Sequence, residues 1–185
     1  MTYSRYTEDI ISHYERHWSQ AVEQLRLDTG PIHQLPADFH IGIYERTSKM
    51  FAFATVSMSL ASDESRLELH TLANHPSLQK AAIVEVMTSV AHYHRTGRAL
   101  GVGHTVNLGR GIIPGSACEY GLISLPYLDG PNLEWMDEPR VRFLWLVPIT
   151  AREVSYKKEH GLEALETRFE ESRFDYLDPF RDSVV

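Results

Sequence analysis

The fold is decided by the stretch Val141-Arg142-Phe143-Leu144-Trp145-Leu146-Val147-Pro148. Apart from Arg142 and Pro148 every residue in it is apolar, and it has the length of a strand rather than of a helix. A continuous apolar run of this length is typical of a central strand that is covered on both faces. Shortly after it, Thr150 and Glu153 form the capping-box pattern with which a helix begins. The stretch therefore predicts a central strand that leads directly into a helix.

Helical periodicity appears in three parts of the chain. Apolar residues recur every three or four positions from Ile10 onward, which indicates an N-terminal amphipathic helix over residues 8–26. Residues 77–96 show the same spacing and predict a central helix. After the capping box we expect a C-terminal helical region over residues 151–173, divided at Gly161.

Other apolar segments alternate with polar residues, as strands with one buried face do. Besides the central strand, strands are predicted at residues 39–44, 50–60, 67–72 and 120–127. Residues 101–121 hold six of the eleven glycines, which indicates a loop with short strands. We therefore expect an α+β fold, with a mixed, mostly antiparallel sheet of five to seven strands packed against N-terminal, central and C-terminal helices, in a single domain over residues 1–185.

Composition narrows the class of protein. The 185 residues are 43% hydrophobic, carry no apolar run of transmembrane length and begin with a charged segment, so a cytoplasmic globular protein is expected. A single cysteine, Cys118, excludes an internal disulfide and a zinc site built from several thiolates. The net charge of −7 opposes binding to nucleic acid or to an anionic membrane and favours a basic protein partner.

Several collinear motifs resemble the suppressor-of-fused family. The central strand with its Val-Pro-Ile-Thr step, the following Arg152-Glu153 and the Gly161-Leu162 pair resemble the C-terminal block of that family. Thr55-Val56-Ser57-Met58-Ser59 resembles its Thr-x-Gly-Met-Ser strand, with Ser57 in place of the usual glycine. Two further segments resemble its Arg-x-Glu-Leu and Gly-His-Thr motifs, namely Arg66–Leu69 and Gly103–Val106. The resemblance spans residues 8–185.

Membership of this family would imply a protein-binding role. Eukaryotic members are longer, carry a second domain, and restrain zinc-finger transcription factors of the hedgehog pathway by holding a short extended peptide. A chain of this length resembles the single-domain bacterial branch, many of whose members are regarded as immunity proteins of polymorphic toxin systems. In eukaryotic members an acidic residue commonly precedes the histidine of the Gly-His motif, whereas Gly103 stands here, so the resemblance implies the fold and a protein partner but not the same peptide contacts.

Two groups of residues are candidates for binding a partner. The end of the central helix and the glycine-rich segment are expected to line one cleft, which would contain Tyr93, His104, Thr105 and the loop after it. The alternative is that these residues only pack the helix against the sheet. The second candidate is an acidic loop in which an exposed tryptophan and methionine are ringed by carboxylates: Asp129, Glu134, Trp135, Met136, Asp137 and Glu138. Such a loop can also be a solvated connection.

Hypotheses of catalysis and metal binding rest on fewer residues. Cys118 and His104 would form a thiolate–imidazole pair, oriented by Glu119 or Glu68, if the loop brought them together, and this is the alternative function, a cysteine/histidine-dependent hydrolase. His13 and His17 share one helical face but lack a third metal ligand. The glycine pairs at 101–103 and 109–111 complete neither a P-loop nor a dinucleotide fingerprint.

We therefore expect a non-enzymatic protein that binds a protein partner, either a basic toxin or an extended peptide, with no catalytic residues, metal or cofactor. An immunity-type or other regulatory role is the specific form of this hypothesis. The oligomeric state is not predicted.

Overall fold

A computed structural model describes residues 3–74 and 76–185 of the chain. Within them, the helices are α1 (Arg5–His17), α2 (Pro76–Thr96), the one-turn α3 (Pro131–Glu134), α4 (Ala151–His160) and α5 (Leu162–Ser172). The strands are β1 (Ala21–Leu25), β2 (His40–Thr47), β3 (Met50–Val56), β4 (Leu67–Ala73), β5 (Thr105–Asn107), β6 (Tyr120–Ser124), β7 (Trp135–Met136) and β8 (Val141–Ile149). None of the helices in the described ranges is long and apolar enough to cross a membrane.

All eight strands belong to one sheet, in the order β1-β2-β3-β4-β8-β6-β5, with β7 paired to the edge of β8. The β4–β8 pair is parallel and every other pair is antiparallel. The predicted α+β fold with a mixed, mostly antiparallel sheet is confirmed. The sheet has more strands than expected because neither β1 nor the two-residue β7 has a strand pattern that is recognisable in the sequence.

Helices cover both faces of the sheet. On one face α2 packs over Ile41, Phe53, Leu69 and Leu144. On the other face α1, α4 and α5 pack over alternate residues of the same strands, including Ala54, Phe143 and Trp145. Every residue of β4 is buried, and only Arg142 and Pro148 of β8 are not. The prediction that β8 is a central strand covered on both faces is therefore confirmed.

The prediction of one N-terminal helix over residues 8–26 is wrong at its C-terminal end. Helix α1 ends at His17, and β1 begins four residues later as a strand antiparallel to β2. Val22, which the helical stripe would have buried, is 57% exposed. The open edge of β2 offers backbone hydrogen-bond partners to residues 21–25, and this tertiary pairing outweighs the local helical periodicity.

A buried carboxylate joins two of the motifs. Glu68 in β4 is fully buried, accepts a hydrogen bond from the Thr55 hydroxyl at 2.6 Å and accepts another from the Met58 N–H at 3.1 Å. Burial raises the pKa of Glu68 to about 8. Between Thr55 and Met58 the chain turns at Ser57, whose φ of 61° is left-handed. This conformation explains why glycine is usual at that position in the family that the motif resembles.

The C-terminal segment is held by a buried ion pair. Glu153 caps α4 by accepting from the Thr150 N–H at 2.7 Å, as the capping box predicted. The same carboxylate accepts from both terminal nitrogens of Arg181, at 2.6 and 2.9 Å. Because Arg181 lies near the end of the chain, this pair fixes the segment after α5 against the sheet. That segment carries Phe174 and Tyr176.

We expect the Glu68→Gln variant to change how stability depends on pH. The folded protein holds a proton on Glu68 up to about pH 8, whereas the unfolded chain releases it near the ordinary pKa of 4.5. The contribution of Glu68 to stability is therefore complete below pH 4.5 and is lost as the pH rises towards 8. Urea unfolding of the wild type should show this loss, on the order of 1 kcal/mol per pH unit.

Glu68→Gln should flatten that dependence, because the amide does not titrate. The matched control is Glu64→Gln, which removes an exposed carboxylate from the turn before β4 and should leave the pH dependence intact. An unchanged slope in Glu68→Gln would contradict the proposed titration.

Candidate functional site

Strand β5 forms one open edge of the sheet. It pairs with β6 alone, and no other strand in the described ranges lies on its second side. The His104 carbonyl accepts from β6, and the Leu108 N–H donates to the residue that precedes β6, each at 2.9 Å. Since backbone groups of a strand alternate in direction with a period of two, those of Thr105 and Asn107 point away from β6. The open side of β5 therefore presents unpaired backbone donors and acceptors.

A groove with a volume of about 600 Å³ lies beside this edge. One wall is α2, with Val86, Val90 and Tyr93, and the other is β5, with Thr105 and Asn107. Residues 27–31, between β1 and the following turn, close one side of it. We name this feature the edge groove. Val86 and Val90 are buried, so the part of the α2 wall that an extended segment can reach consists of the exposed residues Glu85, Ser89 and Tyr93.

Two glycines position these walls. Helix α2 is followed by Gly97, where an added Cβ would lie 2.9 Å from the Tyr93 carbonyl oxygen. Gly103 has a φ of 81° and donates its N–H to Ile123 of β6 at 2.8 Å, so that β5 starts in register with β6. Gly97 and Gly103 thus allow the chain to reverse direction between α2 and β5.

Two of the three residues predicted for the cleft line the edge groove. Tyr93 is 43% exposed on the α2 wall, and Thr105 is half-buried, with its hydroxyl accepting from Lys157 Nζ at 2.9 Å. His104 is exposed immediately before β5 and is not among the residues that line the groove. Their role in binding stays a prediction.

The segment after Thr105, which was expected to be a loop, also reaches the groove, through Asn107 and Leu108, whereas residues 27–31 were not indicated by the sequence. Asn107 belongs to a strand of three residues, which is too short for a pattern of alternation. Pro31 is distant in sequence and reaches the groove only through the pairing of β1 with β2. Near the rim, Arg110 and Glu85 form a largely exposed ion pair, which no sequence spacing indicated.

Part of the acidic loop has a structural role. Asp129 is paired with Arg46 at 2.6 Å and accepts a hydrogen bond from the Trp18 indole at 2.8 Å. Glu134 is paired with Arg142 at 2.7 Å, and its side chain is only 15% exposed. These two carboxylates are therefore neutralised by arginines of the same chain, which leaves Asp137 and Glu138 as the exposed acids of the loop.

The two apolar residues of this loop differ in exposure. Trp135 is 37% exposed and lies against two guanidinium groups, with Arg140 4.6 Å and Arg142 5.1 Å from the ring centroid. Met136 was expected to be exposed as well, and this expectation is wrong: it is 5% exposed. Because neighbours in a strand point to opposite faces, β7 turns Met136 into the core and Trp135 outward. The outer surface is thus a tryptophan among both arginines and acids.

The residues of the hydrolase hypothesis do not meet. The thiol of Cys118 is fully buried in the apolar cluster under α2, and burial raises its pKa. His104 is exposed, and the two side chains share no hydrogen bond in the described part of the chain. Glu68, considered as an orienting acid, is occupied by Thr55 and the backbone. Among the described residues, the geometry therefore gives Cys118 no activating base.

The paired histidines of α1 are engaged within the protein. His13 is buried, bonds to the Leu133 carbonyl at 2.9 Å through Nε2, and has a pKa lowered by burial to about 4. His17 bonds to the His13 carbonyl at 2.9 Å through Nδ1. Across residues 3–74 and 76–185, no cluster of three or more potential ligands is suited to a metal ion.

The chain is similar to proteins of one known family in both sequence and fold. The family model described as Suppressor of fused protein (SUFU) matches residues 40–182. Among solved structures, the chain is similar to a suppressor of fused homologue from Neisseria gonorrhoeae, with 28% identity, a TM-score of 0.81 and 97% of each chain covered. No curated protein matches the sequence.

Two more distant structures share the fold. A structure of a Sufu–Fu complex has 14% identity and a TM-score of 0.72, over 97% of this chain and 92% of the other. Drosophila Suppressor of Fused has 15% identity and a TM-score of 0.67, over 96% of this chain and 50% of the fly protein. At these identities the similarity shows the fold alone.

We expect Cys118 to react slowly with a thiol reagent, because it is buried and its raised pKa keeps it protonated at neutral pH. As the chain has one cysteine, labelling with iodoacetamide reports on this site alone. The native protein should react roughly 100-fold more slowly than the urea-unfolded protein, since reaction requires opening of the core. A native rate close to that of the unfolded chain would restore the thiolate hypothesis.

Proposed function

The chain belongs to the suppressor of fused family, as its motifs predicted, and from this premise we propose that it acts by binding a protein partner in the edge groove. The observation that carries this proposal is the open edge of β5 beside a groove of about 600 Å³. Exposed strand edges attract other strands, and the described part of the chain leaves this one uncovered.

The chemistry of the edge groove suits an extended segment. A partner strand added to β5 would bond to the outward N–H and C=O groups of Thr105 and Asn107. These bonds supply affinity without sequence selectivity, whereas side chains of the partner would contact the exposed residues of the α2 wall, Glu85, Ser89 and Tyr93. Tyr93 at the end of this wall combines a large exposed ring with a hydroxyl, as residues that anchor interfaces do.

A solved complex of a protein with the same fold supports a protein partner. One structure that shares it is a Sufu–Fu complex, so a protein of this fold has been obtained bound to a partner. The sequence of that relative is only 14% identical to this chain. The complex therefore supports a protein as the partner but does not indicate which protein it is.

In its finer form, the proposal is that the protein is an immunity-type regulator that neutralises a basic toxin in the cytoplasm. The net charge of −7 favours a basic partner, and the single cysteine suits a reducing compartment. Similarity to the Neisseria gonorrhoeae protein over 97% of both chains supports a bacterial form of the fold.

The edge proposal predicts that Asn107→Pro weakens binding of an extended peptide. A twelve-residue peptide would be selected by display on the immobilised wild-type protein and its Kd measured by fluorescence anisotropy. Proline removes the outward N–H of residue 107 and places its ring at the open edge, while the bonds to β6 remain. We expect Kd to rise roughly tenfold or more.

The control for this variant is Asn107→Ala, which also loses the side-chain hydrogen bond to the Gly109 N–H but keeps the backbone donor. It should bind the peptide nearly as the wild type does. Equal binding by Asn107→Pro and Asn107→Ala would show that the peptide does not add to β5.

The immunity proposal predicts rescue of growth when the chain is co-expressed with a toxin encoded beside its gene. The Asn107→Pro variant should rescue less well, if the edge groove is the surface that binds the toxin. Absence of rescue by the wild type would remove the immunity role. Equal rescue by the two proteins would mean that the toxin binds another surface.

A further inference from the structure

A second pocket lies on the opposite face of the sheet from the edge groove, between α5 and strands β6 and β8. Its volume is about 280 Å³. Its wall contains five aromatic side chains, those of Tyr127, Trp145, Phe169, Phe174 and Tyr176. We name it the aromatic pocket. Cavities that take whole small molecules are usually larger, about 300 to 1,000 Å³, so this one has the size for a single long side chain.

The mouth of the aromatic pocket is exposed and apolar. Tyr127 is 58% exposed and Leu128 is 45% exposed, the former among the most exposed large hydrophobic residues of the described chain. The wall behind them is rigid, because Trp145 is 5% exposed and Tyr176 packs edge-on against it with centroids 5.4 Å apart. The Trp145 indole N–H is buried without a hydrogen-bond partner among the described residues. The pocket is thus a preformed apolar slot with an accessible entrance.

Two carboxylates of α5, Glu166 and Glu170, give the pocket a negative charge. One oxygen of Glu166 accepts from the Tyr127 and Ser124 hydroxyls, both at 3.2 Å, which fixes the half-buried side chain. Its other oxygen takes part in no hydrogen bond, and neither glutamate forms an ion pair within the described residues. A carboxylate that is held in place without a cation can bind one at little cost in side-chain entropy.

The rim also carries one positive charge, Arg173. Its guanidinium forms no ion pair with another described residue, and it follows α5 at the end near Phe174. A cation in the pocket would therefore lie at the Glu166 end, beside Tyr127, where the field of Arg173 is weakest.

We propose that the aromatic pocket binds one arginine side chain of a partner protein. An arginine guanidinium is planar, stacks on aromatic rings and donates hydrogen bonds to a carboxylate oxygen, while the methylene stem of the side chain can cover Tyr127 and Leu128. Glu166 supplies the carboxylate and the aromatic wall supplies the stacking surface. The aromatic pocket lies on another face from the edge groove and shares no residue with it. Either binding proposal can therefore be wrong while the other holds.

The test is an NMR titration of the ¹⁵N-labelled chain with N-acetyl-arginine amide. The matched ligand is N-acetyl-citrulline amide, which has the same shape without the charge. The chain has three tryptophans, so the indole signal of Trp145 is identified by its loss in Trp145→Phe. We expect saturable shifts of this signal and of α5 amides with the arginine compound, and roughly fivefold weaker binding of the citrulline compound.

Three variants locate the arginine on the protein. Glu166→Gln should weaken arginine binding roughly tenfold, while Glu163→Gln, which removes an exposed charge from the same helix outside the pocket, should leave it unchanged. Arg173→Gln should strengthen it, because a like charge is removed. The amide spectrum of each variant also reports whether it is folded.

The inference would be overturned by equal binding of the two ligands, by the absence of saturable shifts, or by shifts confined to the exposed acids Asp137 and Glu138. Weaker arginine binding by Arg173→Gln would also overturn it, because the rim arginine would then be aiding the ligand rather than repelling it. None of these outcomes bears on peptide binding by β5, which the Asn107→Pro variant tests separately.

Discussion

The parallel pairing of β4 with β8 is the constraint on which the rest of the structure depends. It joins the meander β2-β3-β4, with β1 at its edge, to the strands that follow α2, and it runs in register from Leu67 opposite Arg142 to His70 opposite Trp145. A parallel pair in the middle of a sheet must be covered on both faces, so helices are required on each side. The chain meets this requirement with α2 on one face and with α1, α4 and α5 on the other.

This arrangement accounts for the position of both candidate surfaces. Every residue of β4 is buried, whereas β5, β6 and β8 each include residues that are partly exposed. The edge groove lies between α2 and the last strand, β5, and the aromatic pocket lies between α5, the C-terminal segment and strands β6 and β8. Arg181 contributes indirectly, because its buried pair with Glu153 holds the segment that carries Phe174 and Tyr176.

The sequence predicted elements best where burial alone determines the pattern. The apolar run of β8, the stripe of α2 and the cap at Thr150 were located to within a residue or two. The prediction of a helix failed at residues 21–25, because so few residues fit the spacing of a helix and of a strand equally well. The hydrogen bonds that the edge of β2 offers make this segment a strand. Local spacing also did not indicate that Arg46 and Arg142 neutralise Asp129 and Glu134, whose role in binding stays a prediction.

By itself the sequence determined the family, the α+β class and the central position of β8, because these depend on the identity and periodicity of residues close together along the chain. The tertiary structure alone decided which charges are paired, which edge stays open and which residues share a cavity. The physical reason is that ion pairs, strand edges and pockets form between segments far apart along the chain, as between Arg46 and Asp129, and local spacing carries no information about such distances.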